Sequence, residues 1–249
     1  MNVEVLFTPA EFAALKERDL SETDCVVIDV LRATSSMATA LGNGADGIIP
    51  VGEINEALDL RRQNNGILLA GERDGLRIES SLTGEVAFDL GNSPREFVRE
   101  VVEGKTIAMT TTNGTRALRA CAAGRSVVAA AFLNLSASCR YLLQSKPVSL
   151  IVVCGGTFEE AAYEDILCAG ALVERMRWDR NCNLSDSALA AERVYQSEKG
   201  DLLAGLARSR NGRRLLERPD LKEDVTFCAQ CDRFDVVARL GSDGLVRES

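Results

Sequence analysis

Short apolar runs alternate with helical patterns along most of the chain, and this alternation restricts the fold more than any other feature. Cys25 to Val30, Thr106 to Thr111 and Val148 to Cys154 have the length and composition of buried strands. Segments with helix-starting residues follow the runs, as Ser35 to Leu41 follows the first of them. Strands that alternate with helices in this way are typical of an α/β sheet protein.

The character of the sequence shifts near residues 180–184, which indicates a subdomain boundary within one 249-residue unit. Beyond it, Ser185 to Ser197 and Asp201 to Leu216 read as exposed, Arg-rich helices. The basic run from Arg208 to Arg214 is interpreted as the solvated surface of such a helix. We therefore expect no contribution to nucleic-acid binding from it.

The charge balance excludes several kinds of partner. With 29 Lys and Arg against 37 Asp and Glu, the formal net charge is −8. The mean field of such a surface repels a nucleic acid or an anionic membrane, so any anionic ligand must be met by local arginines. No run approaches the roughly 20 apolar residues that a membrane span needs. The sequence thus predicts neither a nucleic-acid nor a membrane partner.

The chain contains no histidine, and this absence limits its chemistry. Imidazole is the side chain most used for acid/base catalysis near neutral pH and for zinc ligation. Histidine-dependent hydrolases and phosphatases are therefore excluded. Carboxylates without imidazole suit a hard cation such as Mg²⁺ better than Zn²⁺.

Eight cysteines are scattered through a chain that begins without a basic or apolar leader segment. We therefore expect reduced thiols and a cytoplasmic location. Cys228 and Cys231 have the spacing of a zinc or redox pair, but no second pair or histidine completes a four-ligand site. Their predicted role is structural.

Four predicted strand ends carry clustered polar residues, and open α/β sheets bind ligands beyond the carboxyl ends of their strands. The clusters are Asp29 with Arg32, Thr34 and Ser35; Glu72 with Arg73; Asn113, Thr115 and Arg116; and Gly155 with Gly156. Taken singly, the hydroxyl groups could be helix caps and the acids could be solvated. Three arginines at such junctions, on what we expect to be one sheet edge, together indicate a pocket for a small polyanion.

Known phosphate-binding motifs do not account for this pattern. Gly104-Lys105-Thr106 resembles the end of a P-loop, but Arg99 stands where the loop needs glycine, and a strand follows where a helix should. A haloacid-dehalogenase motif would place a second Asp where Leu31 stands. No cysteine has an arginine six residues later, which excludes the cysteine phosphatase loop.

Five ordered stretches resemble the 2-phosphosulfolactate phosphatases, also called ComB. They are Val27 to Ser35, Ala70 to Arg73, Asp89 to Pro94, Thr110 to Ala117 and Cys154 to Asp165. The resemblance implies layered α/β/α sheets in two related subdomains. It also implies Mg²⁺-dependent hydrolysis of (R)-2-phospho-3-sulfolactate to 3-sulfolactate and phosphate, a step toward coenzyme M.

On this resemblance, Asp29 and one or both of Glu72 and Asp165 bind Mg²⁺, which positions a water for in-line attack. Alternatively, Asp29 attacks phosphorus itself. The residues expected to contact the substrate are Arg32, Thr34 and Ser35 at the phosphate, Arg73, Asn113, Thr115 and Arg116 at the other two anions, and the backbone of Gly155 and Gly156.

Two other functions remain open from the sequence. A phosphatase of this fold could act on another phosphorylated hydroxy acid, or the pocket could belong to a non-catalytic receptor for a small polyanion. Carboxylates beside the arginines argue against a receptor, because added negative charge weakens anion binding unless a metal bridges the groups. The sequence leaves the oligomeric state open, including a homo-oligomer.

Overall fold

The strands of the computed structural model, which describes residues 1–179 and 181–249, form one mixed sheet in the order β5-β4-β6-β3-β11-β10-β7-β2-β8-β1-β9. Their bounds are β1 (Asn2–Leu6), β2 (Thr23–Ile28), β3 (Gly47–Pro50), β4 (Leu68–Arg73), β5 (Leu76–Arg77), β6 (Thr106–Thr110), β7 (Ser126–Ala130), β8 (Ser149–Cys154), β9 (Asn183–Leu184), β10 (Ala238–Leu240) and β11 (Val246–Glu248). The predicted boundary at 180–184 begins at residue 180, which lies outside the described residues, and the two subdomains stay a prediction.

The helices occupy most of the connections between strands. They are α1 (Pro9–Ala13), α2 (Ala33–Gly42), α3 (Ile54–Gln63), α4 (Ser80–Thr83), α5 (Arg99–Val102), α6 (Gly114–Ala120), α7 (Leu135–Ser145), α8 (Tyr163–Asp179), α9 (Asp186–Glu198), α10 (Leu202–Arg208), α11 (Arg210–Leu216) and α12 (Lys222–Cys228), with short 3₁₀ turns at Ala14–Glu17, Pro94–Glu96 and Phe132–Asn134. Within residues 1–179 and 181–249, none of these helices combines the length and apolar character needed to cross a membrane.

The sheet consists of two parallel parts that run in opposite directions. Strands β4, β6 and β3 form one parallel part, and β7, β2, β8, β1 and β9 form the other. Between them, β10 pairs antiparallel with β7, β11 with β10, and β3 with β11. Three successive reversals leave the two parts antiparallel to each other. The expectation of one shared sheet edge is therefore wrong. Neighbouring strands in a sheet are rotated by roughly 20–25° relative to one another, so the two parts are also strongly rotated relative to each other.

Helices cover both faces of the sheet, as strand β2 shows. Val26 and Ile28 point into a buried cluster that also contains residues of α8, α9 and α12. Cys25 and Val27 point into a second cluster, formed with residues of α2 and α6. Apolar side chains on both faces explain why this strand reads as a continuous apolar run. The predicted α/β fold is confirmed.

Two predicted helices have different bounds in the structure. The helix expected from Phe158 begins at Tyr163, and residues 157–162 form a loop in which Phe158 has a φ of 55°. The segment Asp201 to Leu216 divides into α10 and α11, because extended backbone at Ser209 ends one helix and its side chain caps the next by accepting from the Gly212 amide. Helical periodicity continues across the break, which is why the sequence predicts one helix.

Candidate active site

Loops from both parallel parts of the sheet line one cavity of about 350 Å³, a volume in the range of small-ligand sites. The loops follow β2, β4, β6 and β8, and the C-terminal segment from α11 to Leu221 closes the cavity. The lining residues are Asp29, Leu31, Arg32, Glu72, Asp74, Gly75, Asn92, Thr112, Asn113, Gly156, Thr157, Phe158, Asn211, Arg214, Leu215, Glu217, Arg218 and Leu221.

Asp29 lies at the end of β2 and caps the helix that follows. Its Oδ1 accepts a hydrogen bond of 3.1 Å from the Ala33 amide, and its carbonyl accepts from the amide and hydroxyl of Thr34. A Cβ at Gly114 would lie 2.6 Å from Asp29 Oδ2, so only glycine allows this approach. The N-terminus of α2 is therefore occupied by Asp29, where the sequence predicts a phosphate.

Burial raises the pKa of Asp29 to about 7. The hydrogen bond from Ala33 and the charge of Arg32 act in the opposite direction, while the nearby carboxyl groups of Glu72 and Glu164 raise the pKa further. Loss of hydration disfavours the charged form of a carboxyl group, and like charges add to the effect. A cation bound beside Asp29, in addition to Arg32, would therefore favour the ionised form of its carboxyl group.

Glu72 joins the loops of β4 and β6. Its Oε1 accepts from the amide and the hydroxyl of Thr112, both at 2.8 Å, and its Oε2 accepts from the Gly75 amide at 2.7 Å. The side chain is 7% exposed and lines the cavity. It is therefore fixed in position beside Asp29 by backbone and side-chain donors.

Glu164 and Asp165, at the start of α8, differ in their partners. Asp165 accepts from the Val30 amide at 2.8 Å and from the Gly156 amide at 3.0 Å, so both oxygens brace loops. Glu164 accepts from Asn211 through Oε1, and its buried Oε2 has no hydrogen-bond partner in the described chain. Burial raises the pKa of both groups. Glu164 thus has the free ligand atom that was expected of Asp165.

Arg32 lies beneath the cavity in a buried ion pair with Asp224. The peptide bond before Arg32 is cis. Its guanidinium donates to Asp224 Oδ2 and to the Gly75 carbonyl, both at 2.8 Å, and the two charged side chains are 4% and 0% exposed. Asp224 also accepts from Ser93 at 2.7 Å and from Arg95 at 2.8 Å. The pair ties α12 to the loop after β2.

Five expected substrate contacts are already engaged within the protein. The hydroxyls of Ser35 and Thr115 donate to carbonyls one turn back, and that of Thr34 donates to Asp29. The Gly155 amide donates to the Ile28 carbonyl at 2.7 Å, and that of Gly156 donates to Asp165. Of these five, Gly156 alone lines the cavity. For the three hydroxyls, the expectation of free groups ignored nearby backbone carbonyls, which accept from them. The two glycine amides are engaged by tertiary contacts instead.

Arg73 and Arg116 are not among the residues that line the cavity, whereas Asn113 is. Arg73 donates to the Glu72 carbonyl at 2.7 Å and to the Thr110 hydroxyl at 3.1 Å. Arg116 is 45% exposed and points to Glu159 at 3.4 Å, along a shallower groove beside Phe12. The structure therefore separates these two arginines from Arg32, with which the sequence grouped them.

Two other arginines line the cavity in their place. Arg214 lies on α11, in the run that the sequence assigned to the surface, and Arg218 lies two residues beyond the end of α11, outside that run. Asn211 of the same helix donates to Thr157 and Glu164, both at 2.7 Å, and so holds α11 against the loop after β8. The clustering of arginines from 208 to 214 was visible in the sequence, but its position in the fold was not.

The fold and the cavity together define an α/β protein with buried carboxyl groups and arginines around one cavity. The sequence matches the family described as 2-phosphosulpholactate phosphatase over residues 10–243. The chain therefore belongs to the 2-phosphosulfolactate phosphatase family, whose members are named as phosphoric monoester hydrolases.

Curated relatives agree with this family over nearly the whole chain. A protein of Caldanaerobacter subterraneus subsp. tengcongensis is 41% identical over 246 residues, which cover 98% of each chain. A protein of Thermotoga petrophila is 43% identical over 215 residues, covering 86% of this chain and 88% of the relative. A protein of Clostridium novyi is 33% identical over 95% of this chain and 96% of its own. Each is named a probable 2-phosphosulfolactate phosphatase.

We predict that Asp224→Asn lowers the free energy of unfolding by about 3 kcal/mol, because it leaves the buried charge of Arg32 uncompensated. Urea denaturation measures the change. The control is Glu223→Gln, which removes the neighbouring, 66% exposed partner of Arg95 and is expected to cost less than about 1 kcal/mol. Equal effects of the two substitutions would show that the buried pair does not stabilise the fold.

The raised pKa of Asp29 predicts that stability falls as pH rises from about 5 to about 7 in EDTA. The unfolded chain releases this proton near the ordinary value of 3.8, whereas the folded chain holds it to about 7. Between these values the folded state binds more protons, so raising the pH favours unfolding. The contribution is complete below the unfolded pKa and is lost as pH passes the folded pKa.

The variant Asp29→Asn is therefore expected to reduce this slope, by up to about 1.4 kcal/mol per pH unit. Urea denaturation at several pH values measures it. Asp243→Asn is the control, because hydrogen bonds to Arg247 and Leu245 lower the pKa of that exposed group and its titration lies below this range. An unchanged slope in Asp29→Asn would contradict the assignment.

Proposed function

We propose that this protein hydrolyses (R)-2-phospho-3-sulfolactate to 3-sulfolactate and phosphate in an Mg²⁺-dependent reaction, a step of the kind that leads toward coenzyme M. The observation that carries the proposal is the single cavity in which buried carboxyl groups and arginines meet. Family membership over residues 10–243 supports the reaction class. A cytoplasmic location stays a prediction.

The donor set of the cavity fits Mg²⁺. Asp29 and Glu72 line it, and Glu164, which interacts electrostatically with Asp29, contributes an unpartnered buried oxygen. Within residues 1–179 and 181–249, no three Cys, Asp or Glu side chains lie close enough together to hold a metal ion between them. Mg²⁺ usually binds through one or two carboxylates and keeps several waters, so it does not require such a cage.

When bound there, Mg²⁺ would neutralise phosphoryl oxygens and orient a water. Asp29 would hold it, with Glu164 or Glu72 as the second carboxylate. We place Glu164 in this set ahead of Asp165, because both Asp165 oxygens already accept backbone hydrogen bonds. Asp165 then acts indirectly, by fixing the loops after β2 and β8.

The residues of the chain itself provide orientation and charge at the phosphoryl group. Arg32 has N–H groups left beyond those bonded to Asp224 and Gly75, and these are suited to phosphoryl oxygens. In hydrolysis, water adds to phosphorus, the ester P–O bond breaks, and the leaving oxygen takes up a proton. The Ala33 amide fixes Oδ1 of Asp29, and the residue lines the cavity, which suits either of its expected roles, cation ligand or nucleophile.

We expect phosphate release to be fastest from 2-phospho-3-sulfolactate and to stop in EDTA. Phospholactate, phosphoglycolate and p-nitrophenyl phosphate, each with Mg²⁺ and with EDTA, complete the assay. Asp29→Asn is expected to lower kcat by about 10²-fold or more, because it removes charge at the reacting phosphoryl group. Release from the other esters alone would support a phosphatase that acts on a different substrate. No release from any ester would favour a non-catalytic receptor.

Glu164→Gln and Asp165→Asn should separate cation binding from loop bracing. We expect Glu164→Gln to raise the Mg²⁺ concentration for half-maximal activity about tenfold or more, with little loss of stability, because its amide still accepts from Asn211. Asp165→Asn should lower the free energy of unfolding by about 1–3 kcal/mol, because its amide nitrogen would face a backbone N–H. Mg²⁺ titration and urea denaturation measure the two effects, and the reversed pattern would assign the cation to Asp165.

A further inference from the structure

Arg214 and Arg218 bring positive charge to the side of the cavity formed by the C-terminal helices. Both line the cavity together with Asp29 and Glu72, although about 140 residues or more separate the two pairs in sequence. The four residues thus form two sides of one space. One side is supplied by carboxyl groups at strand ends, and the other by guanidinium groups on and after α11.

The charge of these arginines is poorly balanced within the protein. In the part of the chain that the structure describes, Arg214 has no carboxylate within 4.0 Å, and its guanidinium lies 5.5 Å from the Phe158 ring centre. In the same part of the chain, the carboxylate of Asp220 lies 3.9 Å from Arg218, and the buried Nε of Arg218 has no hydrogen-bond partner. Of the C-terminal residues that line the cavity, two are arginines and one, exposed Glu217, is a carboxylate.

The remaining cavity arginine has a different environment. Arg32 is neutralised by Asp224 and fixed by Gly75 next to Asp29, which suits it to the phosphoryl group. Arg73 and Arg116 lie outside the lining. Among the described residues, Arg214 and Arg218 are therefore the arginines of the lining that no buried carboxylate neutralises.

We propose that Arg214 and Arg218 bind the carboxylate or sulfonate that the substrate carries besides its phosphate. The C-terminal helices thereby make the enzyme selective for phosphate monoesters of small organic acids. This inference rests on the proposed phosphatase function and extends it, because it assigns substrate selection to a segment remote in sequence from the reacting groups. Planar guanidinium forks match both carboxylate and sulfonate oxygens, so the two anions share one recognition chemistry.

The test compares Arg214→Gln and Arg218→Gln on an acidic and a neutral ester. With 2-phospho-3-sulfolactate we expect each substitution to lower kcat/KM about 10- to 100-fold, mainly through a higher KM. With p-nitrophenyl phosphate, which has no second anion, the change should stay below about threefold. Arg218→Lys should recover part of the loss, because lysine keeps the charge without the fork. Thermal melts check that each variant is folded.

Arg213→Gln is the matched control. Arg213 is an exposed arginine on the same helix that donates to the Arg208 carbonyl and lies outside the cavity lining. We expect it to leave both reactions unchanged. Equal losses on the acidic and neutral esters in the Arg214 and Arg218 variants, or no loss on the acidic ester, would overturn the proposal.

Calorimetric titration with 3-sulfolactate in the presence of Mg²⁺ separates this inference from the proposed function. We expect the Arg214 and Arg218 variants to bind it about tenfold or more weakly than the wild type and Arg213→Gln. A wild type that releases no phosphate but shows this pattern would overturn the phosphatase function and support the anion site. A wild type that neither hydrolyses an ester nor binds 3-sulfolactate would overturn both.

Discussion

Carboxyl groups buried close together cannot all be ionised without a compensating cation, and this constraint governs the site. Asp29, Glu72, Glu164 and Asp165 are each less than a tenth exposed. Removing a carboxylate from water costs free energy that only hydrogen bonds, opposite charge or protonation can offset. Asp165 and Glu72 accept backbone hydrogen bonds at both carboxylate oxygens. Asp29 accepts one at Oδ1, and among the described residues the buried Oε2 of Glu164 has no hydrogen-bond partner. Asp29 and Glu164 are therefore the less fully stabilised carboxyl groups of the cluster.

The second element of the site is the return of the C-terminal helices to strands formed much earlier in the chain. The hydrogen bond between Arg32 and Asp224 joins residues 192 positions apart, and the bonds of Asn211 hold α11 against the loop after β8. These contacts bring Arg214 and Arg218 into the lining of the same cavity as Asp29 and Glu72. The cavity is thereby formed by loops from both parallel parts of the sheet and by the C-terminal helices that pack on them.

Local features of the sequence predicted the fold class, and they singled out two acidic residues, Asp29 and Glu72, that line the cavity. The apolar run of β2 and the polar turn after it contain enough information to identify a buried strand that ends in Asp29 and Arg32. Sequence reasoning failed for hydroxyl groups that can donate either to a ligand or to a nearby backbone carbonyl. Thr34 and Ser35 look like phosphate donors until the backbone carbonyls of the same turn are seen to accept from them.

The arginine side of the cavity has no local signal at all. A basic, exposed helix has the same pattern whether it faces solvent or a ligand, and its contacts depend on the fold of the whole chain. The reversal between the two parallel parts of the sheet was equally hidden, since the short strands β10 and β11 that cause it carry only three residues each. The position of these arginines and the directions of the two parts of the sheet therefore depend on long-range packing, which hydrophobic periodicity in the sequence does not reveal.

Anomalous diffraction from crystals soaked in Mn²⁺ would test most directly whether the buried carboxyl groups form a cation site. Mn²⁺ accepts the same oxygen ligands as Mg²⁺ and scatters strongly enough to be located without bias. The account predicts a peak within bonding distance of the Asp29 carboxylate, with Glu164 or Glu72 as a second protein ligand. A cation located away from Asp29, or no peak at saturating Mn²⁺, would contradict it.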